Sequence, residues 1–185
     1  MRAHEEDLLV RARRGDAEAF GQLIRPCLDR AYRLALRLLG QAEDAEDAVQ
    51  DALYKAWRGL AGFQGRARFS TWLYRIVWRE CLDRSRRRDE VRLAADVLDP
   101  GPDPHERLAR TESRQEVQAA LLRLPPPYRA VLVLFYLEDM PVKDIANILD
   151  LPEGTVKTHL YRARRALRAE LDLNGDRMAG GGRER

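Results

Sequence analysis

The chain has 185 residues, 45% of them hydrophobic and 34% charged, with 33 Lys and Arg against 30 Asp and Glu for a formal net charge of +3. That length holds one ordinary domain or two small ones, each near the lower limit for burying a self-sufficient core. Two cysteines, Cys27 and Cys81, form no CxxC pair and are too few for a disulfide framework, and no apolar run approaches membrane-spanning length. The expectation is a soluble protein of a reducing cytoplasm without membrane insertion, whose charge is informative by where it clusters rather than by its total.

The N-terminal MRAHEEDLLVRARRGD carries charges throughout and has no apolar segment of the kind a secretory leader needs. Helical periodicity begins near Glu6, where Leu8, Leu9, Ala12, Ala19, Phe20, Leu23 and Ile24 alternate with charged residues around a break at Gly15-Asp16. A further stripe, Ala31, Leu34, Ala35, Leu38 and Leu39, ends at Gly40, a residue suited to a helix C-terminus. Gln41 to Asp44 opens the next helix. Alternating β-branched runs do not appear, so the predicted fold is all-α.

From Glu43 to Trp57, Ala45, Ala48, Val49, Ala52, Leu53 and Ala56 make one apolar flank and leave Glu43, Glu46, Asp47, Gln50, Asp51 and Tyr54 near the opposite one. Glu43 and Asp44 also suit the positive end of the helix dipole, a purely local role. Asp47, Gln50 and Asp51 lie further in and form a ridge suited to a basic helical partner. No His or distant carboxylate motif completes a metal site around Asp47 and Asp51.

Between Phe63 and Arg88, Phe63, Phe69, Trp72, Tyr74 and Trp78 are interleaved with Arg66, Arg68, Arg75, Arg79, Arg84, Arg86, Arg87 and Arg88. Unpaired bases stack on aromatic rings and arginines neutralise the backbone, so this composition suits single-stranded nucleic acid. At helical spacing, Trp72, Ile76 and either Leu73 or Val77 equally make a buried face, and Trp72 belongs to core or to DNA contact on equal grounds.

DVLDPGPDP, residues 96 to 104, resists helix and has too little apolar surface for a core; it is expected to be a flexible linker. Helical pattern resumes around Thr111 to Leu124, breaks at Pro125-Pro126-Pro127 and runs from Tyr128 to Leu137. Lys143 to Arg168 then has the pattern of a helix-turn-helix. Ile145, Ala146, Ile148 and Leu149 face inward from its first helix, and Val156, Leu160, Ala163 and Leu167 from its second. Pro152 stops the first helix, Glu153 and Gly154 are placed in the bend, and Thr155 caps or enters the second. Lys157, Thr158, Tyr161, Arg162 and Arg165 point away from the seam and suit phosphates and base edges. The unit ends near Leu173, and NGDRMAGGGRER is expected to be a flexible tail.

Three segments now agree: AEDAEDAVQDALYKAW, FQGRARFSTWLYRIVWRECLDRSRRR and LPPPYRAVLVLFYLEDMPVKDIANILDLPEGTVKTHLYRARRAL. Together, over most of residues 6 to 171, they resemble the bacterial sigma-70 family of RNA polymerase sigma factors, extracytoplasmic-function (ECF) group. The resemblance implies a region 2 domain over residues 1–90, a linker over 91–112, a region 4 helix-turn-helix domain over 113–173 and a tail over 174–185. It implies promoter DNA and core RNA polymerase as partners, the latter through its β′ clamp helices and β flap, together with an anti-sigma factor. Asp47, Gln50, Asp51 and Tyr54 fall to polymerase binding. Phe63, Arg66, Arg68 and Phe69 fall in the loop that captures a flipped −10 base, followed by Trp72, Arg75 and Arg79 in the next helix. Arg79 stands where the family commonly has Asn, which leaves the −10 preference open. Thr155, Lys157, Thr158, Tyr161, Arg162 and Arg165 fall to the −35 element, with Arg164, Arg165 and Arg168 toward phosphate or solvent. Asp150 stands where many relatives have glycine, a turn position aspartate tolerates. The resemblance places the linker in the polymerase RNA channel and implies no catalytic residue, cofactor or metal. An enzyme lacks support from metal-ligand spacing, a nucleophile–base pair or a phosphate-cradling glycine loop. The alternative is a standalone helix-turn-helix regulator that binds duplex DNA without polymerase.

Overall fold

The computed structural model describes residues 2–95 and 109–180, and every regular element among them is helical. The 96–104 linker lies outside the described residues.

α1 (Arg2–Arg13) and α2 (Ala17–Ile24) are divided at Gly15-Asp16 because Gly15 takes a φ of 94° and Asp16 caps the second helix. Asp16 Oδ1 accepts from the Ala19 N–H at 3.0 Å, and Oδ2 accepts from Arg11 Nε and Nη2 at 2.9 and 2.7 Å. The backbone N–H and the guanidinium together hold this carboxyl below its usual range. α3 (Leu28–Leu39) ends at Gly40, whose φ of 81° turns the chain while its N–H bonds to Leu36 O at 2.8 Å. α4 (Ala42–Gly59) and α5 (Phe69–Ala95) complete the N-terminal unit.

Alanines set the spacing of this unit. Ala31 and Ala35 of α3 and Ala45, Ala48, Ala52 and Ala56 of α4 are fully buried, so these helices approach closely around the larger Leu34, Leu73 and Val77. The inward face of α5 is Leu73, Tyr74, Val77, Trp78 and Cys81, while Trp72 and Ile76 are half-buried at its border. Both thiols are core groups. Burial raises the Cys27 pKa and pushes that of Cys81 up to about 12.

The C-terminal unit comprises α6 (Ala109–Arg123), α7 (Pro126–Leu132), a π-helical turn (Val133–Leu137), α8 (Val142–Leu149) and α9 (Glu153–Gly180). Pro126 and Pro127 sit in the first turn of α7, where a missing N–H leaves no carbonyl unpaired. Ile145, Ala146, Ile148 and Leu149 are buried with Val156, Leu160 and Ala163, as the periodicity predicts. The bend is shorter than expected. Asp150 adopts a left-handed conformation (φ 60°, ψ 45°) and Leu151 N bonds to Ala146 O at 3.0 Å, so α8 closes and the chain reverses there. Thr155 N and Val156 N then bond to Pro152 O at 2.9 and 3.1 Å. Glu153 and Gly154 consequently belong to the first turn of α9 rather than to the bend, and Thr155 is inside the helix. α9 continues past Leu173, the expected end, because extending a formed helix is far easier than nucleating one.

The two units touch. α5 packs on α8, and α3 packs on α6, α7 and the π-helical turn. Gly40 also lies close to α6 here, since a Cβ would stand 2.5 Å from Leu122 Cδ1 and that side chain would have to shift. Arg129, buried in α7, donates to Leu121 O, Leu122 O and Leu124 O at 2.9, 2.5 and 3.1 Å and reaches across to Leu38 O of α3. Gln118 Nε2 donates to Arg37 O at 3.0 Å. Side chains of one unit thus complete the carbonyl end of a helix in the other.

Candidate functional site

α4 presents Asp47, Gln50, Asp51 and Tyr54 to solvent, opposite its buried alanine seam. Tyr54 is 63% exposed, and the Arg58 guanidinium lies 6.0 Å from its ring centroid. Asp51 is not free to swing. Its Oδ2 accepts from Arg84 Nη2 at 2.6 Å, and this hydrogen bond holds its carboxyl below the usual range. Arg84 also lies 3.7 Å from Glu80, a buried carboxylate that accepts from Lys55 Nζ at 2.6 Å. Arg84 and Arg88 therefore face α4, the latter 3.8 Å from Asp44, so both carry intramolecular ion pairs in this conformation. The signal was available only in three dimensions, because Asp51 and Arg84 meet through the packing of two helices.

In the aromatic segment the structure separates rings from cations. Phe63 and Phe69 are 6% and 2% exposed and pack at 6.0 Å between ring centroids. Phe69 also meets Phe20 at 6.5 Å and Trp72 at 5.7 Å, and Phe63 meets Trp72 at 5.1 Å. In this conformation both rings are buried in an aromatic cluster, so a base-capturing role for them requires that cluster to open. Tyr74 and Trp78 are likewise core residues. Arg66 and Arg68 remain exposed on the loop around Gly65, which has a φ of 69°. Trp72 borders that loop half-buried, packed against Phe63 and Phe69. Arg75 and Arg79 follow along the α5 surface, where both meet the C-terminal unit.

On α9, Lys157, Thr158, Tyr161, Arg162 and Arg165 are exposed and Thr155 is half-buried. The Thr158 hydroxyl donates to Gly154 O at 3.0 Å, and the Arg165 guanidinium lies 6.0 Å from the Tyr161 ring centroid. Tyr161 is 56% exposed beside that guanidinium. His159 is half-buried against Tyr128 at 5.3 Å, so it packs the helix rather than facing outward. Arg164 meets the Tyr136 hydroxyl at 3.3 Å and Arg168 meets Asp172 at 3.8 Å. The result is a helix with one apolar seam and one cationic, hydroxyl-rich face, the arrangement a major groove accepts. Sequence reasoning missed Glu138, a 2% exposed carboxylate that meets Arg30, Arg33 and Arg37 at 3.2, 3.4 and 3.5 Å. The only hint was the placing of three arginines on one face of α3.

Among the described residues no group of three or more His, Cys, Asp or Glu is arranged to hold a metal ion, and no helix is long and apolar enough to cross a membrane.

Comparison with known proteins assigns both units. Residues 23–91 match the family model for sigma-70 region 2, and residues 114–167 match that for sigma-70 region 4. The chain is 32% identical to the ECF RNA polymerase sigma factor SigW of Bacillus subtilis over 88% of its own length and 94% of that protein. It is 40% identical to the ECF RNA polymerase sigma factor SigM of Mycobacterium tuberculosis over 88% and 82%. Among solved structures it resembles the sigma factor RpoE in complex with the anti-sigma factor NepR from Bartonella quintana, with a TM-score of 0.66, 28% identity and coverage of 83% and 96%. With an acidic ridge in the first unit and an exposed cationic helix in the second, the chain belongs to the sigma-70 family of RNA polymerase sigma factors, in its ECF group.

Proposed function

We propose that this ECF sigma factor binds core RNA polymerase through the α4 ridge, reads the −35 element with α9 and meets the opened −10 region with the outer surface of α5 and the loop before it. The observation that carries the reading is the pairing, in one chain, of an exposed acidic helix with an exposed cationic recognition helix. Asp47, Gln50, Asp51 and Tyr54 meet the β′ clamp helices, with Arg84 holding Asp51 in place. Arg66, Arg68, Trp72, Arg75 and Arg79 follow the single strand, the arginines through phosphate and Trp72 by stacking with its exposed part. Thr155, Lys157, Thr158, Tyr161, Arg162 and Arg165 face the −35 duplex. Region 4 also meets the β flap. The domain limits proposed are 1–90 for region 2, 91–112 for the linker and 113–173 for region 4.

The protein works in the cytoplasm beside polymerase and contributes binding rather than catalysis. An anti-sigma factor is a further proposed partner, by analogy with the Bartonella sigma factor solved with one. A standalone regulator leaves the α4 ridge and the α5 surface without a task and is not favoured. Gel filtration with purified core polymerase tests the reading: the chain should co-elute with core, and the triple replacement of Asp47, Gln50 and Asp51 by Ala should not. Co-elution unaffected by those changes would move the contact elsewhere.

A further inference from the structure

Three ion pairs tie the acidic helix α4 to α5, and one of them is reversed. Asp44 meets Arg88 at 3.8 Å and Asp51 meets Arg84 at 2.6 Å, each with the carboxylate on α4. At the third pair α4 supplies the cation instead: Lys55 Nζ donates to Glu80 Oε1 at 2.6 Å. Glu80 Oε2 also lies 3.7 Å from Arg84 Nη1, so one carboxylate of α5 stands between Lys55 and Arg84.

Glu80 is 4% exposed, whereas the Lys55 side chain is 53% exposed. Such a pair is a weak source of stability, because the carboxylate loses its water and a half-exposed lysine adds little in exchange. An apolar side chain in the same place on the seam would fold about as well. The buried charge calls for another reason, and the position of Lys55 supplies one. Lys55 follows Asp51 by four residues, so the two side chains are neighbours on the helix surface and an unrestrained lysine there pairs with Asp51. Glu80 captures the ammonium instead. The other cation of α4, Arg58, is held as well, with its guanidinium 6.0 Å from the Tyr54 ring centroid and Nη1 3.4 Å from the Tyr54 hydroxyl. Glu46, Asp47 and Gln50 are exposed along the same helix. With both its cations engaged, α4 turns a net acidic face to a basic partner.

We propose that Glu80 is a positioning residue for polymerase binding: it anchors Lys55 at the α5 seam, away from the ridge of Asp47, Gln50 and Asp51, and holds one nitrogen of Arg84 while the other fixes Asp51. The inference rests on the proposed docking of that ridge on the β′ clamp helices. Glu80 touches no partner itself and acts through the two cations it holds. Released from Glu80, the Lys55 ammonium reaches Asp51, cancels part of the charge of the ridge and repels a basic surface.

The test titrates the full chain, fluorescently labelled, with purified core RNA polymerase and follows anisotropy at low and at high salt. Glu80→Gln should bind about fivefold more weakly at low salt, the order expected for one unit charge brought within ~10 Å of a basic partner at a partly solvated surface, and the deficit should shrink at high salt. Adding Lys55→Gln to Glu80→Gln should restore the parental affinity. A packing defect at position 80 would persist through that exposed change and would not shrink with salt. Parental affinity of the Glu80→Gln chain overturns the inference, and so does a deficit that Lys55→Gln leaves in place. Asp47→Ala with Gln50→Ala is titrated alongside. If that chain binds core as the parent does, the reading of the α4 ridge falls; if it binds more weakly while Glu80→Gln does not, only the role of Glu80 falls. Should circular dichroism show Glu80→Gln unfolded at the assay temperature, Glu80→Met keeps the length of the side chain and removes its charge, with the same outcomes.

Discussion

Phe69 separates core from DNA contact most cleanly. Its ring is 2% exposed and meets Phe20, Phe63 and Trp72. Phe69→Ala should cost about 3–5 kcal/mol, the range for a large aromatic lost from a core. In a domain of this size each kcal/mol moves the melting temperature by about 4–8 °C, giving a fall of roughly 12–40 °C. That variant loses DNA binding by unfolding and so decides nothing. Phe69→Leu keeps an apolar side chain in the cluster at a cost of about 1.5 kcal/mol, and region 2 stays folded at ordinary assay temperatures. Circular dichroism gives the melting point, and permanganate footprinting of promoter complexes with core polymerase gives the extent of strand opening. The core role predicts opening equal to the parent below the melting transition. If Phe69 instead carries a stacked base, the folded Leu variant should lose about 1–3 kcal/mol of single-strand affinity, roughly five- to 160-fold. A loss of that size with stability retained would refute the reasoning.

Arg162→Ala should cost about 1–3 kcal/mol of −35 affinity and relax preference at one base, whereas Lys157→Ala should weaken all sequences alike and reduce the salt slope by about 1; binding titrations across salt and a mutated −35 set distinguish them. Asp51 has a folded pKa below its unfolded value near 3.9, so the stability its Arg84 pair contributes is present above that value and lost as pH falls through the folded pKa. Asp51→Asn should accordingly be less stable than the parent in urea melts at neutral pH, with the gap closing in strong acid; a gap that widens in acid would reverse the sign. Gly40→Ala imposes a side chain at a φ of 81° and against Leu122, and should lose about 1–2 kcal/mol in the same melts.

Local rules made the helices legible. The stripe ending at Gly40 was readable because burial at helical spacing and a left-handed glycine C-terminus leave residue-by-residue traces, whereas the first helix of the helix-turn-helix closes at Asp150, earlier than the stop Pro152 suggested. The α9 seam and its cationic face follow from one periodicity, and so does the α4 ridge. What stayed hidden depends on the approach of distant segments. Phe63 and Phe69 look like stacking platforms in sequence because aromatic rings suit bases and cores equally; only the meeting of α2, α4 and α5 closes the cluster over them. Arg84 sits in an arginine run, and its turn toward α4 depends on helix rotation. Glu138 carries no signal in the sequence and Asp150 reads only as a turn residue, because their ion pairs form between the two units.

Transcription in vitro with purified core RNA polymerase, on a library of promoters from the protein's own genome, tests the sigma-factor assignment most directly. The account predicts discrete start sites that appear only with this chain and vanish when Asp47, Gln50 and Asp51 are replaced by Ala. Duplex DNA binding by the chain alone, with no polymerase-dependent initiation at any promoter, would contradict it.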